Sequence, residues 1–337
     1  MEHVAIDLAG RESQICVRGA DGSILEECRR LTRTLGEYLA KRPWSRVVVE
    51  TCAEAFAVAD QALELGHQVR VVPATLVRSL GVGSRRTKND AKDARVMSEV
   101  SCRIDLPSVH VPSAISRRRK SICGMREALV TARTSLVNTV RGWLRGAAKG
   151  PLRSGAVETF VNRVRDRMGE NERPRYVERQ LETIEMLNRQ IVEADDELAV
   201  LSHKDEECRR LMTVPGVGPV TAIRFVAAVD EIGRFANAHQ LESYLGLVPG
   251  ESSSGDKVHR TSITKAGSPR LRTTLIQAAW SARRSGGVHP MVLWALEVEK
   301  RRGRRIATVA LARKMAGIMY ALLRDGSRYH APRGATI

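Results

Sequence analysis

Residues 87–95 read TKNDAKDAR, which sets Asp90 and Asp93 three apart. On a helix, positions i and i+3 share a face, so both carboxylates would aim at one point. Like charges held that close call for a cation between them. Two further acids end apolar runs: Asp7 closes HVAID and Glu50 closes RVVVE. Acids at neighbouring strand ends, with a helix start beside them, form a set of hard oxygen ligands suited to Mg²⁺ or Mn²⁺. Two such ions can bracket a phosphodiester and stabilise its attacking and leaving oxygens. Singly, each acid has a plainer reading: Asp7 as a turn residue, Glu50 as a charge near a helix, Asp90 and Asp93 as carboxylates favoured near a helix N-terminus. As a set in a basic chain they read as a metal site.

A second candidate lies in ESSSGD, residues 251–256, followed by Lys257, His259, Arg260, Lys265, Arg270 and Arg272. Serine-rich polar stretches are mostly loops. A serine beside a glycine can nevertheless be exposed enough to attack a phosphodiester, with adjacent cations holding the phosphate. VPGVGPVTA, residues 214–222, places Gly216 and Gly218 as in a helix–hairpin–helix module, where backbone N–H groups approach a phosphate. An ordinary turn between helices is the alternative.

The charge balance suits a polyanion. The chain has 55 Lys+Arg against 38 Asp+Glu, a net charge of +17, and nucleic acid is the usual partner of such a chain. A merely basic protein is the competing reading. Aromatic residues make up only 4%, which argues against recognition that rests mainly on stacking single-stranded bases. At 337 residues and 43% hydrophobic, the chain can bury the cores of two domains. The cysteines, Cys16, Cys28, Cys52, Cys102, Cys123 and Cys208, form no C-x-x-C pair, so reduced thiols in a cytoplasmic protein are expected. The start lacks a basic stretch followed by an apolar one, and no run of 18 apolar residues is seen, so no membrane span is expected.

The elements that must position these residues follow from periodicity. HVAIDLA, SQICVRG and SILEECR read as strands, the last two joined by the turn ADGS. A helix near 32–41, the strand RVVVE, a helix over 53–66 and the strand HQVRVVPA follow, which predicts a mixed α/β sheet. Residues 113–147 turn helical, with Ile122, Met125, Leu129, Leu136, Val140 and Leu144 as an apolar stripe. Residues 101–150 carry ten Lys+Arg and two acids, so Arg117, Arg118, Arg119 and Lys120 are expected to face phosphates, a charged outer face being the alternative. Val177, Ile184, Ile191 and Leu198 repeat every seven, with Leu187, Ala194 and Leu201 three places on. That seam predicts a coiled coil that assembles the chain into a dimer or tetramer, against packing within its own domain. Helices resume near 208 and run to about 325.

Together these motifs resemble the IS110/IS1111 insertion-sequence transposases over nearly the whole chain. AIDLA carries the aspartate of that family's first RuvC-like strand, VVVET its glutamate, and TKNDAKDAR its K-x-D-x-x-D-A-R helix. VPGVGPVTA, YLGLVPGESSSG and ITKAGSPRLR follow the family's transposase domain in order and spacing. Ala53 and Ala55 stand where the family often has a glycine and an aromatic, and Ser268-Pro269 where it usually has a polar residue such as Asn; neither change touches a catalytic group. The resemblance implies an RNase H-like (RuvC-like) α/β domain over 1–108, a basic helix and coiled-coil linker over 109–205, and a mainly α serine transposase domain over 206–337. It implies a catalytic tetrad of Asp7, Glu50, Asp90 and Asp93 binding Mg²⁺, and Ser254 as nucleophile with Ser253 its nearest competitor. It also implies double-stranded donor and target DNA and an element-encoded guide RNA. Lys88, Lys92, Arg95, Gly216, Gly218, Lys257, Arg260, Lys265 and Arg272 would lie along the nucleic acid. A metal-dependent junction nuclease without serine chemistry, and a non-catalytic nucleic-acid-binding protein, are the other readings.

Overall fold

The structure, a computed structural model, describes residues 1–79, 90–252, 260–284 and 289–330. Lys88, Ser253, Ser254 and Lys257 lie outside the described residues. The chain divides into two compact units, Met1–Pro112 and Ser113–Ile337.

The first unit is built on a five-stranded sheet of order β3-β2-β1-β4-β5. β1 (Glu2–Asp7), β2 (Glu12–Arg18) and β3 (Ile24–Leu31) form an antiparallel meander. The chain then crosses through α1 (Leu35–Ala40) to the other side of β1, where β4 (Ser45–Glu50) pairs parallel to it. α2 (Ala55–Glu64) leads to β5 (Gln68–Val72), parallel to β4. Successive strand residues point to opposite faces. Val4, Ile6, Val47 and Val49 accordingly pack with α1 and α2, while Ala5, Val48 and Val72 face the other way. On that second face lie α3 (Ala74–Ser79) and α4 (Asp90–Arg103), which contribute Val77 and Met97. Strands buried on both faces explain why RVVVE reads as an uninterrupted apolar run.

In the second unit, α5 (Ala114–Gly146) and α7 (Arg175–Lys204) lie antiparallel, with α6 (Phe160–Arg167) against them. The seven-residue row of α7 is occupied inside its own chain. Val177 and Ile184 join Val137, Val140 and Leu144 of α5 in one cluster, Leu198 is buried in the next, and Ile191 is also buried. This corrects the expectation that the row is free to join another copy. A period of seven shows that a helix packs against a helix, and it is equally satisfied by a partner in the same chain. Aspartate at Ile184 or Ile191 would therefore strike the fold of this unit, by burying a charge. Met125, assigned to the apolar stripe of α5, is 72% exposed; Cys123 and Val137 are buried instead.

Among the described residues the remainder is mainly helical, with one two-stranded ribbon. α8 (Glu206–Leu211), α9 (Pro219–Val229) and α10 (Ala238–Tyr244) precede β6 (Pro249–Glu251) and β7 (Arg260–Ile263). α11 (Pro269–Arg284), α12 (Pro290–Arg302) and α13 (Arg304–Asp325) follow. Phe225, Leu275, Leu311 and Met315 anchor a core that also takes in Cys123 and Leu198, so the long hairpin and the C-terminal helices share one interior. α13 is long and apolar enough to cross a membrane, where no such run was expected. Its Leu311, Met315 and Met319 are buried in this core, and its Arg313 is ion-paired with Glu242 of α10.

Candidate active site

Asp7 and Glu50 are the last residues of adjacent parallel strands, with Ile6 opposite Val49 in the register. Alternation puts them on the face of Ala5 and Val48, which is the face that α4 covers. The direction of α4 is set by two ties. His3 Nδ1 and Ser101 Oγ are 2.8 Å apart, joining the start of β1 to the end of α4. Ser98 Oγ donates to Cys16 Sγ at 3.2 Å, and Cys16 is the β2 partner of Ala5. α4 therefore runs back along β1. From His3 to Asp7 the strand advances about 13 Å, at about 3.3 Å per residue. From Ser101 back to Asp93 the helix covers about 12 Å, at about 1.5 Å per residue. Asp93 is thus brought level with Asp7, and Asp90 begins the helix one turn earlier.

Asp7, Glu50 and Asp93 are each half-buried. Among the described residues no group of three or more His, Cys, Asp or Glu side chains is gathered as a metal centre. Carboxylates repel one another until a cation stands between them. The chemistry of the donor set, all hard oxygen, fits Mg²⁺ or Mn²⁺ and disfavours softer metals.

α4 is held from outside as well. Arg95, expected along the nucleic acid, forms a bidentate ion pair with Glu27 of β3, and Arg18 of β2 donates to Ser98 at 3.0 Å. Burial, with the Arg46 guanidinium close by, holds the His3 imidazole below its ordinary 6.5. An unfolded chain binds that proton near 6.5 and the folded one only at lower pH, so stability is complete above 6.5 and declines as pH falls through the folded value. The expected result is a melting temperature that drops on acidification from about pH 7.5 to about pH 5. His3→Gln, which keeps a polar partner for Ser101 but does not titrate, should show a shallower drop. Equal acid sensitivity in the two proteins would remove His3 as the cause.

The serine-bearing segment is anchored at a crossing of two motifs. In the β6–β7 ribbon Pro249 pairs with Ile263 and Glu251 with Arg260; residues 253–259, Ser254 included, lie outside the described ones. Gly246 of YLGLVPG has φ +69° and Gly267 of TKAG φ +68°. A Cβ on Gly246 would sit 2.2 Å from the Ala266 carbonyl oxygen, and one on Gly267 2.1 Å from that of Tyr244. Only glycine lets these backbones pass. Arg272 pins the crossing, donating to the carbonyls of Leu245 at 3.2 Å and Ala266 at 2.7 Å. At 8% exposure it is a clamp and not a phosphate contact, which corrects its assignment. Nothing in the residues alone says that the two motifs cross.

Gly216 also has a packing role. With φ +83° it lies against α11, where a Cβ would meet the Ala278 carbonyl oxygen at 2.3 Å. Gly218 N-caps α9 with open space around its Cα. Lys265 is exposed beside the ribbon.

The counter-charges missing from α5 are on α7 and α8, at Asp205 between them, and at Glu158 just ahead of α6. Arg119 pairs with Asp205 and Glu207, Arg126 with Asp195 at 2.8 Å, and Arg133 with Glu158 at 3.2 Å and with Asn188. Arg119 is thus engaged in holding the hairpin, and Arg117 is half-buried, while Arg118 and Lys120 are exposed. These pairs are partly buried, so lost hydration offsets much of their attraction, and the larger gain is the roughly 1.5–3 kcal/mol from burying one Leu or Ile between the helices.

Comparison with known proteins gives the family. A profile described as transposase, for the DEDD type of IS110, matches residues 4–148, and the profile of the transposase IS116/IS110/IS902 family matches 208–291. A probable family 20 transposase of Pseudomonas aeruginosa is 31% identical, the match covering 96% of this chain and 97% of that protein. The transposase for insertion sequence element IS1111A of Coxiella burnetii is 29% identical over 97% of this chain and 90% of its own length. That for IS1328 of Yersinia enterocolitica is 28% identical over 96% and 97%. A full-length likeness to proteins of this kind, on a fold that carries an acid at each of two adjacent strand ends, leaves one conclusion: the chain belongs to the IS116/IS110/IS902 family of transposases.

Proposed function

We propose that the protein is a site-specific DNA recombinase that excises and inserts its own insertion sequence. The observation that carries this reading is the placement of Asp7 and Glu50 at adjacent strand ends, with α4 returning Asp93 to their level and Asp90 at its head. The strand order and the parallel fourth and fifth strands support an RNase H-like, RuvC-like domain over 1–108. In this reading Asp7, Glu50, Asp90 and Asp93 hold Mg²⁺ or Mn²⁺. A divalent ion bound there supplies Lewis-acid stabilisation of phosphate charge. The carboxylates would hold and orient the ion at the strand ends, and their half-buried setting limits competing water. Ser254 acts as nucleophile from the segment that β6 and β7 bracket, with Lys257, Arg260 and Lys265 steadying the phosphate.

Lys88, Lys92, Arg118, Lys120 and Gly218 contact double-stranded DNA or an element-encoded guide RNA. The linker over 109–205 carries the basic helix, and 206–337 the serine chemistry. Assembly as a dimer or tetramer brings the serine of one protomer to the acids of another, in the cytoplasm. The test places the gene and its flanking element ends on a plasmid in a host that lacks them. Amplification across the excised junction should give a product, and RNA co-purifying with the protein should map to the element's non-coding end. A protein that binds DNA but gives neither junction nor covalent adduct would be a binding protein and not a recombinase.

A further inference from the structure

The elbow between α12 and α13 carries the run Lys300, Arg301, Arg302, Gly303, Arg304, Arg305, and every residue from Lys300 to Ile306 is exposed. It lies beyond both matched segments, which end at 148 and 291. Favourable helix electrostatics accounts for part of the run, since Lys300, Arg301 and Arg302 form the last turn of α12, where cations are stabilising. It does not account for Arg304 and Arg305. They open α13, the end where the helix dipole opposes positive charge, and the first turn of α13 holds no acid. Among the described residues the nearby carboxylates are taken: Glu297 by Lys300 at 2.7 Å, and Glu299 by Arg283 of α11.

Arg304 is held in place by an aromatic ring. Its guanidinium lies 4.7 Å from the ring centroid of Trp280 on α11. Stacking orders a guanidinium at small entropic cost and leaves its in-plane N–H groups free to donate, the geometry in which arginine binds phosphate. Arg284, four residues after Trp280 and exposed, adds a cation on the same side of α11.

We infer that the α12–α13 elbow, centred on Arg301, Arg302, Arg304 and Arg305, is a sequence-independent docking surface for the phosphate backbone of duplex DNA. The site rests on the DNA-recombinase reading for its partner and extends it to a region that the motifs do not reach. Cations around one stacked tryptophan favour a rigid, evenly charged backbone. A single-stranded ligand would call for several aromatic platforms.

The test measures binding of the full chain to a random-sequence duplex by fluorescence anisotropy across a range of salt concentrations. Replacing all four arginines with Gln should weaken binding at least tenfold at physiological salt. It should also reduce the slope of log K against log salt by about 3.6, at about 0.9 for each of the four phosphates no longer neutralised. The all-Lys version keeps the charge and should recover most of the slope. The Gln variant should stay folded and melt within a few degrees of wild type, because it removes two charges that the α13 dipole opposes, Arg304 and Arg305, and two that the α12 dipole favours, Arg301 and Arg302. An unchanged slope, or a loss seen with single-stranded RNA but not with duplex, would overturn the docking surface. If the wild-type protein binds duplex through these arginines yet yields no excised junction, the recombinase reading falls and the docking surface stands.

Discussion

Asp7→Asn and Asp93→Asn are each expected to lower DNA strand cleavage by roughly 10²–10³-fold or more while leaving duplex affinity within about twofold. The size follows from what is removed. Asn keeps the shape and one oxygen of the side chain but not its charge, and a site of hard-oxygen ligands depends on charge. Binding is a different matter. It draws on many phosphate contacts across a chain of net charge +17, to which one fewer carboxylate is a small and favourable change. Asp105→Asn is the control. That carboxylate is exposed and ion-paired with Arg46 and Arg70, so its loss should leave cleavage near the wild-type rate. Titrating Mn²⁺ in place of Mg²⁺ should rescue part of the Asn variants' activity, since Mn²⁺ accepts softer donors. Cleavage by Asp93→Asn at the rate of Asp105→Asn would remove Asp93 from the site, and with it the reason for α4 to return along β1.

The strand ends were open to a reading of residues because the signal is local. An apolar run long enough for one strand that ends on an acid places that acid at the rim of a sheet, whatever its neighbours are. The pairing of β1 with β4 is less local, yet the antiparallel meander uses one side of β1 and leaves the other side for the next strand. What residue types could not convey is partnership over distance. The arginines of α5 look unbalanced along their own helix, and their counter-charges lie about 70 to 85 residues away, at Asp195 and Asp205. The heptad row of α7 announces a helical partner without saying whose. Arg272 has the composition of a phosphate contact and the surroundings of a clamp, because two glycine turns meet over it. In each case the period or charge was legible and the partner was not.

Ser254→Ala should bind duplex DNA with wild-type affinity but form no covalent adduct and no recombinant product, whereas Ser253→Ala should keep both. A serine hydroxyl is a poor nucleophile, so its attack needs a phosphate whose charge is already balanced. Lys257, Arg260 and Lys265 are the nearest cations in the chain sequence, and Lys265 is exposed beside the ribbon that brackets the serine. When the Oγ–P bond forms, the bond from phosphorus to the leaving sugar oxygen breaks. The hydroxyl proton leaves Oγ and the sugar oxygen takes one up. The phosphoserine ester conserves the energy of the phosphodiester, so a second sugar hydroxyl can reverse the step and rejoin strands without a nucleotide cofactor. The anchoring of the segment adds a separate expectation. Gly246→Ala and Gly267→Ala force a Cβ into a carbonyl oxygen and should misplace the serine, reducing adduct yield even where the chain stays folded. Mass spectrometry of the trapped protein–DNA adduct decides between the two serines. Linkage at Ser253, or recombination by Ser254→Ala, would move the nucleophile one residue toward the N-terminus. Strand joining with no protein–DNA linkage at all would return the chemistry to the carboxylates alone.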